Sequence, residues 1–201
     1  MFDPIRVPRR VRLLALIAFS ALAMSLFPSL VPATTVEAVT FGELVQDAQR
    51  IFVGEVVAVE SFRADLGTGP RIRTRVTFSV DEAPRGRGVV AALEFLGGTV
   101  GDLTLEVAGM PRFVVGEHYV VFALEGDRWV NPVVGFTQGL FRVSRDVRGG
   151  TWRVLTDGRA PLANVAAIGR PRSRVSTTMS VPISLVEFVD AIHAEIARQS
   201  R

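Results

Sequence analysis

Cysteine is absent from the 201 residues, which excludes disulfides, thiolate metal sites and cysteine nucleophiles. Histidine occurs only twice, at His118 and His193. There is no HExxH, no G-x-S-x-G elbow and no His-rich cluster, so zinc and triad chemistry have no motif to stand on. Lysine is missing too, and all 23 basic side chains are arginine. That skew reads as the coding bias of a GC-rich bacterial genome rather than as a selected surface. The glycines of Gly97–Gly101 lack the Lys-Ser/Thr of a P-loop and the spacing of a dinucleotide fingerprint. They are expected to break a strand. Asp81 and Glu82 are chain neighbours that point to opposite faces of a strand, so they cannot act as the paired carboxylates of a glycosidase.

Net charge is also lacking once the N-terminus is considered. Residues 1–33 have the tripartite form of a secretory signal: RVPRRVR, an apolar run from Leu13 to Phe27, and Val31-Pro32-Ala33 at the cleavage site. A retained N-terminal anchor is the alternative, since Leu13–Leu30 is about the shortest length that crosses a bilayer. Removing Arg6, Arg9, Arg10, Arg12 and Asp3 lowers the stated net charge of +3 to zero. A neutral chain has no general electrostatic reason to bind nucleic acid or anionic membrane. The expected address is therefore periplasmic, cell-surface or extracellular. An exported chain without disulfides rests on its hydrophobic core.

What is present organises around PRFVVGEHYVVFAL, Pro111–Leu124. A turn at Gly116-Glu117 leads into an apolar, β-branched run, too short for a helix. Strand alternation puts His118, Val120, Phe122 and Leu124 on one side and Glu117, Tyr119, Val121 and Ala123 on the other. Both sides are largely apolar, which predicts a central strand inside a small closed or nearly closed sheet. Before it, Thr40-Phe41-Gly42-Glu43 predicts a capped helix to about Gln49. Ile51–Ser61 and Arg71–Glu82 predict a hairpin, with a bulge or close approach at Gly54. Val89–Leu96 and Leu103–Val107 follow as strands. Beyond the central strand, Trp129–Val134, Leu140–Arg145 and Trp152–Leu155 read as strands. Thr156–Pro182 reads as a linker or wrapped loop. Ser184–Gln199 is an amphipathic helix whose stripe of Leu185, Phe188, Val189, Ile192 and Ile196 needs a partner, either the barrel or another chain.

Candidate binding groups are few. Arg71, Arg73 and Arg75 project from one strand face at steps of about 7 Å. They could read a polyanion, or form a solvated face paired with Glu55, Glu60 or Glu94. Thr137-Gln138, between Gly135 and Gly139, is a polar loop on a β scaffold and hence a candidate binding rim. His118 reads as a structural residue with an acid–base role as the alternative, and His193 as the wet flank of its helix. No metal or cofactor is expected.

The run of a capped helix, IFVGEVVAVES, RVTFSVDEAPRG, GGTVG, GMPRFVVGEHYVVFAL and VVGFTQGLFRV resembles a group of exported bacterial β-rich proteins without assigned activity. VVGEHYVVFALEGDRW after paired strands also resembles the netrin-type module, the OB-like barrel of tissue inhibitors of metalloproteases. That resemblance implies a five-stranded, partly open barrel whose edges and loops bind proteins. Those inhibitors place an N-terminal cysteine on the target's metal, so no inhibitory residue carries over to this chain. The fold expected is mainly β: an OB-like, partly open barrel over 34–155, a linker over 156–183 and a C-terminal helix over 184–201. The leading functional expectation is an exported, non-enzymatic binding module for a protein or peptide. A carboxylate-dependent hydrolase or carbohydrate-active domain and a structural envelope component are the alternatives.

Overall fold

The computed structural model describes residues 37–65, 69–126, 130–146, 149–170 and 181–201, which belong to a unit running from Val36 to Arg201. The expected signal or anchor, the tip of the first hairpin, Trp129 and the basic RPRSR run beyond Arg170 lie outside the described residues. Among the described residues, no helix is long and apolar enough to cross a membrane.

The first helix, α1 (Phe41–Asp47), begins at the expected capping box. The Thr40 hydroxyl accepts from the Glu43 N–H, and the Glu43 carboxylate accepts from the Thr40 N–H at 2.7 Å. These bonds hold the Glu43 carboxyl below its usual range, the backbone bond contributing most. The strands are β1 (Arg50–Asp65), β2 (Pro70–Arg85), β3 (Val90–Leu96), β4 (Gly98–Val100), β5 (Leu103–Leu105), β6 (His118–Ala123), β7 (Leu140–Arg145) and β8 (Trp152–Thr156). A 3₁₀ turn at Val165–Ala167 precedes helix α2 (Leu185–Gln199), which Ser184 and Glu187 cap with a second box.

Six strands form one antiparallel sheet in the order β3-β2-β1-β6-β7-β8, while β4 and β5 pair separately. β6 lies between β1 and β7, as its two apolar sides require. Alternation along it holds residue by residue. Val120 and Phe122 join a core with α1 and α2, whereas Tyr119, Val121 and Ala123 join a second core on the other face. Phe122 therefore does not cluster with Phe78 and Tyr119. Val56 fills that second core, and Val57, which alternation turns outward, is exposed.

The second core shows that the sheet curls. Ala91, Leu93 and Phe95 of β3 share it with Tyr119 of β6 and Leu140 of β7, although β3 and β7 stand four places apart in the strand order. A flat sheet would hold them well apart, at about 4.8 Å per strand. The protein is mainly β, and the curled sheet is not closed: a partly open barrel with one short helix near the start and one at the end. Bulges make the curl. The β1–β2 register shifts at Val53/Gly54 and again between Val56 and Ala58, and each shift adds local twist. Gly54 permits it, because a Cβ there would stand 2.5 Å from the Ser79 carbonyl oxygen.

Helix α2 finds its partner within the same chain. Phe188, Val189 and Ile192 are buried in the first core. The Phe188 ring lies 5.1 Å from Phe141 and 6.0 Å from Phe41. The segment after β8 wraps the same face. Leu162 and Ile168 are buried there, and Ile183 accepts from the Val154 N–H at 3.0 Å. Two expectations fail. Residues 131–134 form no strand beyond a single bridge, Ala123 to Val133, because Pro132 has no N–H to extend a ladder. Gly97–Gly101 is not a plain break either, since β4 forms inside it.

Candidate functional site

Neighbouring residues of an antiparallel strand aim their backbone groups alternately at the partner strand and away from it. The bonds just beyond the ends of β3 fix its phase. The Gly97 N–H donates to Ile72 O at 2.9 Å, and Val89 O accepts from the Val80 N–H at 2.8 Å. Odd-numbered residues thus face β2, so Val90, Ala92, Glu94 and Leu96 turn their N–H and C=O outward. Three of these outward groups are occupied. The Leu96 N–H donates to Val130 O at 2.9 Å. Glu94 O accepts from Arg73 Nη2 at 3.3 Å, and Val90 O accepts from Arg50 Nη2 at 3.2 Å. Among the described residues, no hydrogen bond reaches the outward N–H or C=O of Ala92.

That edge borders an open slot of ≈ 470 Å³, whose other lining comes from the end of β6 and the segment after it, Ala123–Gly126 and Pro132. The second rim is braced. Gln49 holds it through its N–H on Ala123 O at 2.9 Å and its side-chain oxygen, which accepts from the Glu125 N–H at 2.6 Å. The Leu124 N–H closes on Pro132 O at 2.7 Å. The slot is thus a gap in the barrel wall between a strand edge with free pairing positions and a stiffened rim.

A second cleft, of ≈ 720 Å³, lies by the β4–β5 hairpin and is lined by Phe95, Met110 and Phe113 among others. Gly97 and Gly98 belong to its lining and are needed for packing. A Cβ on Gly98 would stand 2.3 Å from both the Ser61 and Thr74 hydroxyl oxygens, and one on Gly97 2.9 Å from Leu105 O.

Two polar clusters lie elsewhere. The Tyr119 hydroxyl, on a side chain with no exposed surface, donates to Glu117 Oε2 at 2.7 Å and accepts from Arg142 Nη1 at 2.7 Å. Arg142 also pairs with Glu117 and lies 3.2 Å from Asp157 Oδ1. Burial, then the bond to Glu117, pushes the Tyr119 pKa up. Burial also raises Asp157, against the opposing pull of Arg142. For Glu117, burial acts upward, but the Tyr119 hydroxyl, Arg159 and Arg142 outweigh it and the carboxyl ends below its usual range. Tyr119, Glu117 and Arg142 are bonded to one another, and the buried Asp157 Oδ1 makes no hydrogen bond but faces Arg142 as an ion pair, which is the arrangement of a structural clamp.

His118 forms the other cluster. Its Nε2 lies 3.8 Å from Glu55 and 3.7 Å from Asp81, and its ring centroid is 5.0 Å from that of Trp152. Among the described residues, no group of three or more histidines and carboxylates is placed to hold a metal ion.

No family model, no curated protein and no solved structure matches the chain. The reading of the site therefore rests on its own chemistry.

The arginine ladder does not act as a row. Arg71 is exposed beside the hairpin tip. Arg73 and Arg75 converge on one carboxylate, Glu94, at 3.3 and 2.7 Å, and Arg75 also stacks on Phe62 at 4.9 Å. Arg73 is not the solvated side chain that alternation predicts. It is only 6% exposed and caps the Glu94 carbonyl at the slot. Of the sequence-level candidates, Arg73 alone reaches the slot. Arg75→Gln should lower the unfolding free energy obtained from urea titration by less than ~1 kcal/mol, the usual scale of an exposed pair. Arg73→Gln should cost about 1–3 kcal/mol, because the Glu94 carbonyl loses its donor and the Glu94 carboxylate keeps Arg75 alone. Equal, small losses would show that the difference in burial carries no weight.

Thr137 and Gln138 lie in the turn before β7, away from the slot lining. Gln138 is occupied within the chain: its Oε1 accepts from the Val39 N–H and its Nε2 donates to Glu37 O, both at 2.9 Å. The turn therefore fastens the segment before α1. His193 sits on the exposed flank of α2, 3.4 Å from Glu82. Sequence reasoning did not find Arg50 or Ala92. Their role depends on β3 being an edge strand, and strand order leaves no periodic signal in one sequence.

Proposed function

We propose that this protein is an exported binding module that takes up an extended segment of a protein ligand as an added strand along β3. The observation that carries the reading is the outward Ala92 N–H and C=O, unfilled among the described residues, beside an open slot. An exposed strand edge is a template for pairing with another chain, and folded proteins commonly cover or charge such edges. This molecule does so at the other end of the sheet, where Ser184 and Pro161 form bridges with β8. Along β3 the caps stop on either side of Ala92. Main-chain bonds would supply affinity there, and side-chain contacts across the slot would supply selectivity. Helix α2 packs Phe188, Val189 and Ile192 into the first core, so this reading asks no partner of it.

The test uses peptides selected from a random display library against the purified protein. Proline at position 92 removes an outward donor and no bond to β2, so Ala92→Pro should leave the melting temperature within a few degrees while weakening selected peptides about tenfold. Hydrogen exchange should slow at Ala92 and Glu94 on peptide binding. Protection confined to 97–113 would place the ligand in the cleft by the β4–β5 hairpin and overturn strand addition.

A further inference from the structure

Arg50 gives the slot a chemical preference. It opens β1, and its guanidinium is held from two sides by Nη2, which donates to Arg87 O at 3.0 Å and to Val90 O at 3.2 Å. The guanidinium carbon lies 5.3 Å from the centroid of the Phe52 ring. Arg50 Nε is buried and makes no hydrogen bond. A buried donor left unpaired is costly, and the cost is larger on a charged group. The buried Nε is out of a ligand's reach, but the side chain is fixed in place, lines the slot, and keeps Nη1, which makes no hydrogen bond among the described residues, as a donor for a ligand.

The local charge favours the same chemistry. Glu94 is shared between Arg73 and Arg75, so this slot carboxylate is already neutralised. Glu125, on the opposite rim, is the only other carboxylate among the described residues lining the slot.

We propose that the β3 edge selects an extended segment carrying a carboxylate side chain, read by Arg50. This rests on the strand-addition reading above and adds the ligand's chemistry to it. The geometry also gives a register. Arg50 caps the Val90 carbonyl, and the free pairing position at Ala92 is two residues further along β3. The acidic residue therefore sits about 7 Å, one side-chain repeat, from the ligand residue that pairs with Ala92. Guanidinium and carboxylate form strong, directional pairs, and Arg50 is prepositioned for one.

The experiment takes the display-selected peptides and replaces each Asp or Glu by Asn or Gln in turn. Affinity is measured by fluorescence anisotropy against the wild-type protein, Arg50→Gln and Arg50→Lys, at low and high sodium chloride. One acidic position at constant spacing should dominate, and its neutralisation should weaken binding roughly 10–100-fold. Arg50→Gln should weaken the acidic peptide by a similar factor and leave its neutralised form unaffected. Added salt should weaken only the acidic peptide. Arg50→Lys keeps the charge and should restore part of the loss. Because Arg50 also caps β3, the salt dependence of the unaltered protein serves as a measurement independent of any effect of the variant on folding. Peptides that bind without an acidic preference yet are lost in Ala92→Pro would overturn the carboxylate inference and leave strand addition standing. Peptides indifferent to Ala92→Pro would overturn strand addition and this inference with it. Failure to select any peptide would count against both.

Discussion

Phe188→Ala should destabilise the protein by about 3–5 kcal/mol, the usual loss for a fully buried aromatic ring. Phe188 has no exposed surface, and it touches three elements at once. Its ring stands within 6.4 Å of Phe122 on β6, Phe141 on β7 and Phe41 on α1. Few neighbours can move inward, because each is itself fixed in the sheet or in a capped helix, so the cavity should stay largely open. Denaturant titration with a single probe of the sheet provides the check. If α2 were an appendage, the variant would release the helix and leave the sheet transition in place. Since α2 shares a core with α1 and the sheet, one transition should move as a whole. A loss below about 1 kcal/mol, or two separated transitions, would show that α2 is not part of the folding unit.

That test bears on how much of the architecture was legible in the sequence. Both helices were, because a capping box and a 3.6-residue stripe are local signals that do not depend on the rest of the fold. The amphipathic stripe announced that α2 needed a surface and left open whether it was the barrel or another chain. The central position of β6 was legible for a related reason: apolar residues on both sides of a strand require cover on both sides. Gly54 was legible as a glycine interrupting an apolar run, and the close approach to Ser79 explains it. What a single sequence does not carry is the order of the strands. With order unknown, the alternation of Arg71, Arg73 and Arg75 could only mean a common outward row. Once β3 is the edge, the same three residues diverge: one lies exposed by the turn, one pairs at the surface, and one covers a carbonyl at the slot. Arg50 is the converse case. It stands at the head of an apolar strand with nothing around it in sequence to mark it, and it becomes significant because β3 crosses two strands away.

The failure at 131–134 has a similar origin. Val133 and Val134 are apolar and buried, which suits a strand, yet the segment is consumed in a compact series of turns. Asn131 accepts from the Val133 N–H through Oδ1 at 2.9 Å, an Asx-type turn that competes with ladder pairing. Burial was readable there and conformation was not.

The buried charge cluster is the second place where a single side chain should matter greatly. Arg142→Met should cost about 3–5 kcal/mol near neutral pH, the range for removing one partner of a buried ion pair. Methionine roughly preserves the volume, so the loss reports charge rather than packing. Arg142 serves the Glu117 carboxylate, the Tyr119 hydroxyl, the Asp157 carboxylate and the Arg112 carbonyl, the last at 2.9 Å. Its removal leaves two carboxylates near each other, one of which burial already holds above its usual range.

The pH dependence separates this from a simple packing defect. In the wild type, Glu117 has a depressed pKa, so its contribution is present above the unfolded pKa and is lost as pH falls through the folded one. Asp157 runs the other way. Its raised pKa means that the folded state holds the proton more tightly, and that contribution is present in acid and is lost as pH rises through the folded pKa. Without Arg142, Asp157 loses its main counter-charge and Glu117 keeps only Arg159, so both folded pKa values move up. The variant should therefore recover relative to wild type on acidification, with the gap narrowing toward about pH 4, near the ordinary carboxylate range. Urea midpoints measured for both proteins across that span decide the matter. A gap that stays constant with pH would mean that Arg142 acts through its methylene stem alone, and that the cluster is not the electrostatic clamp its geometry describes.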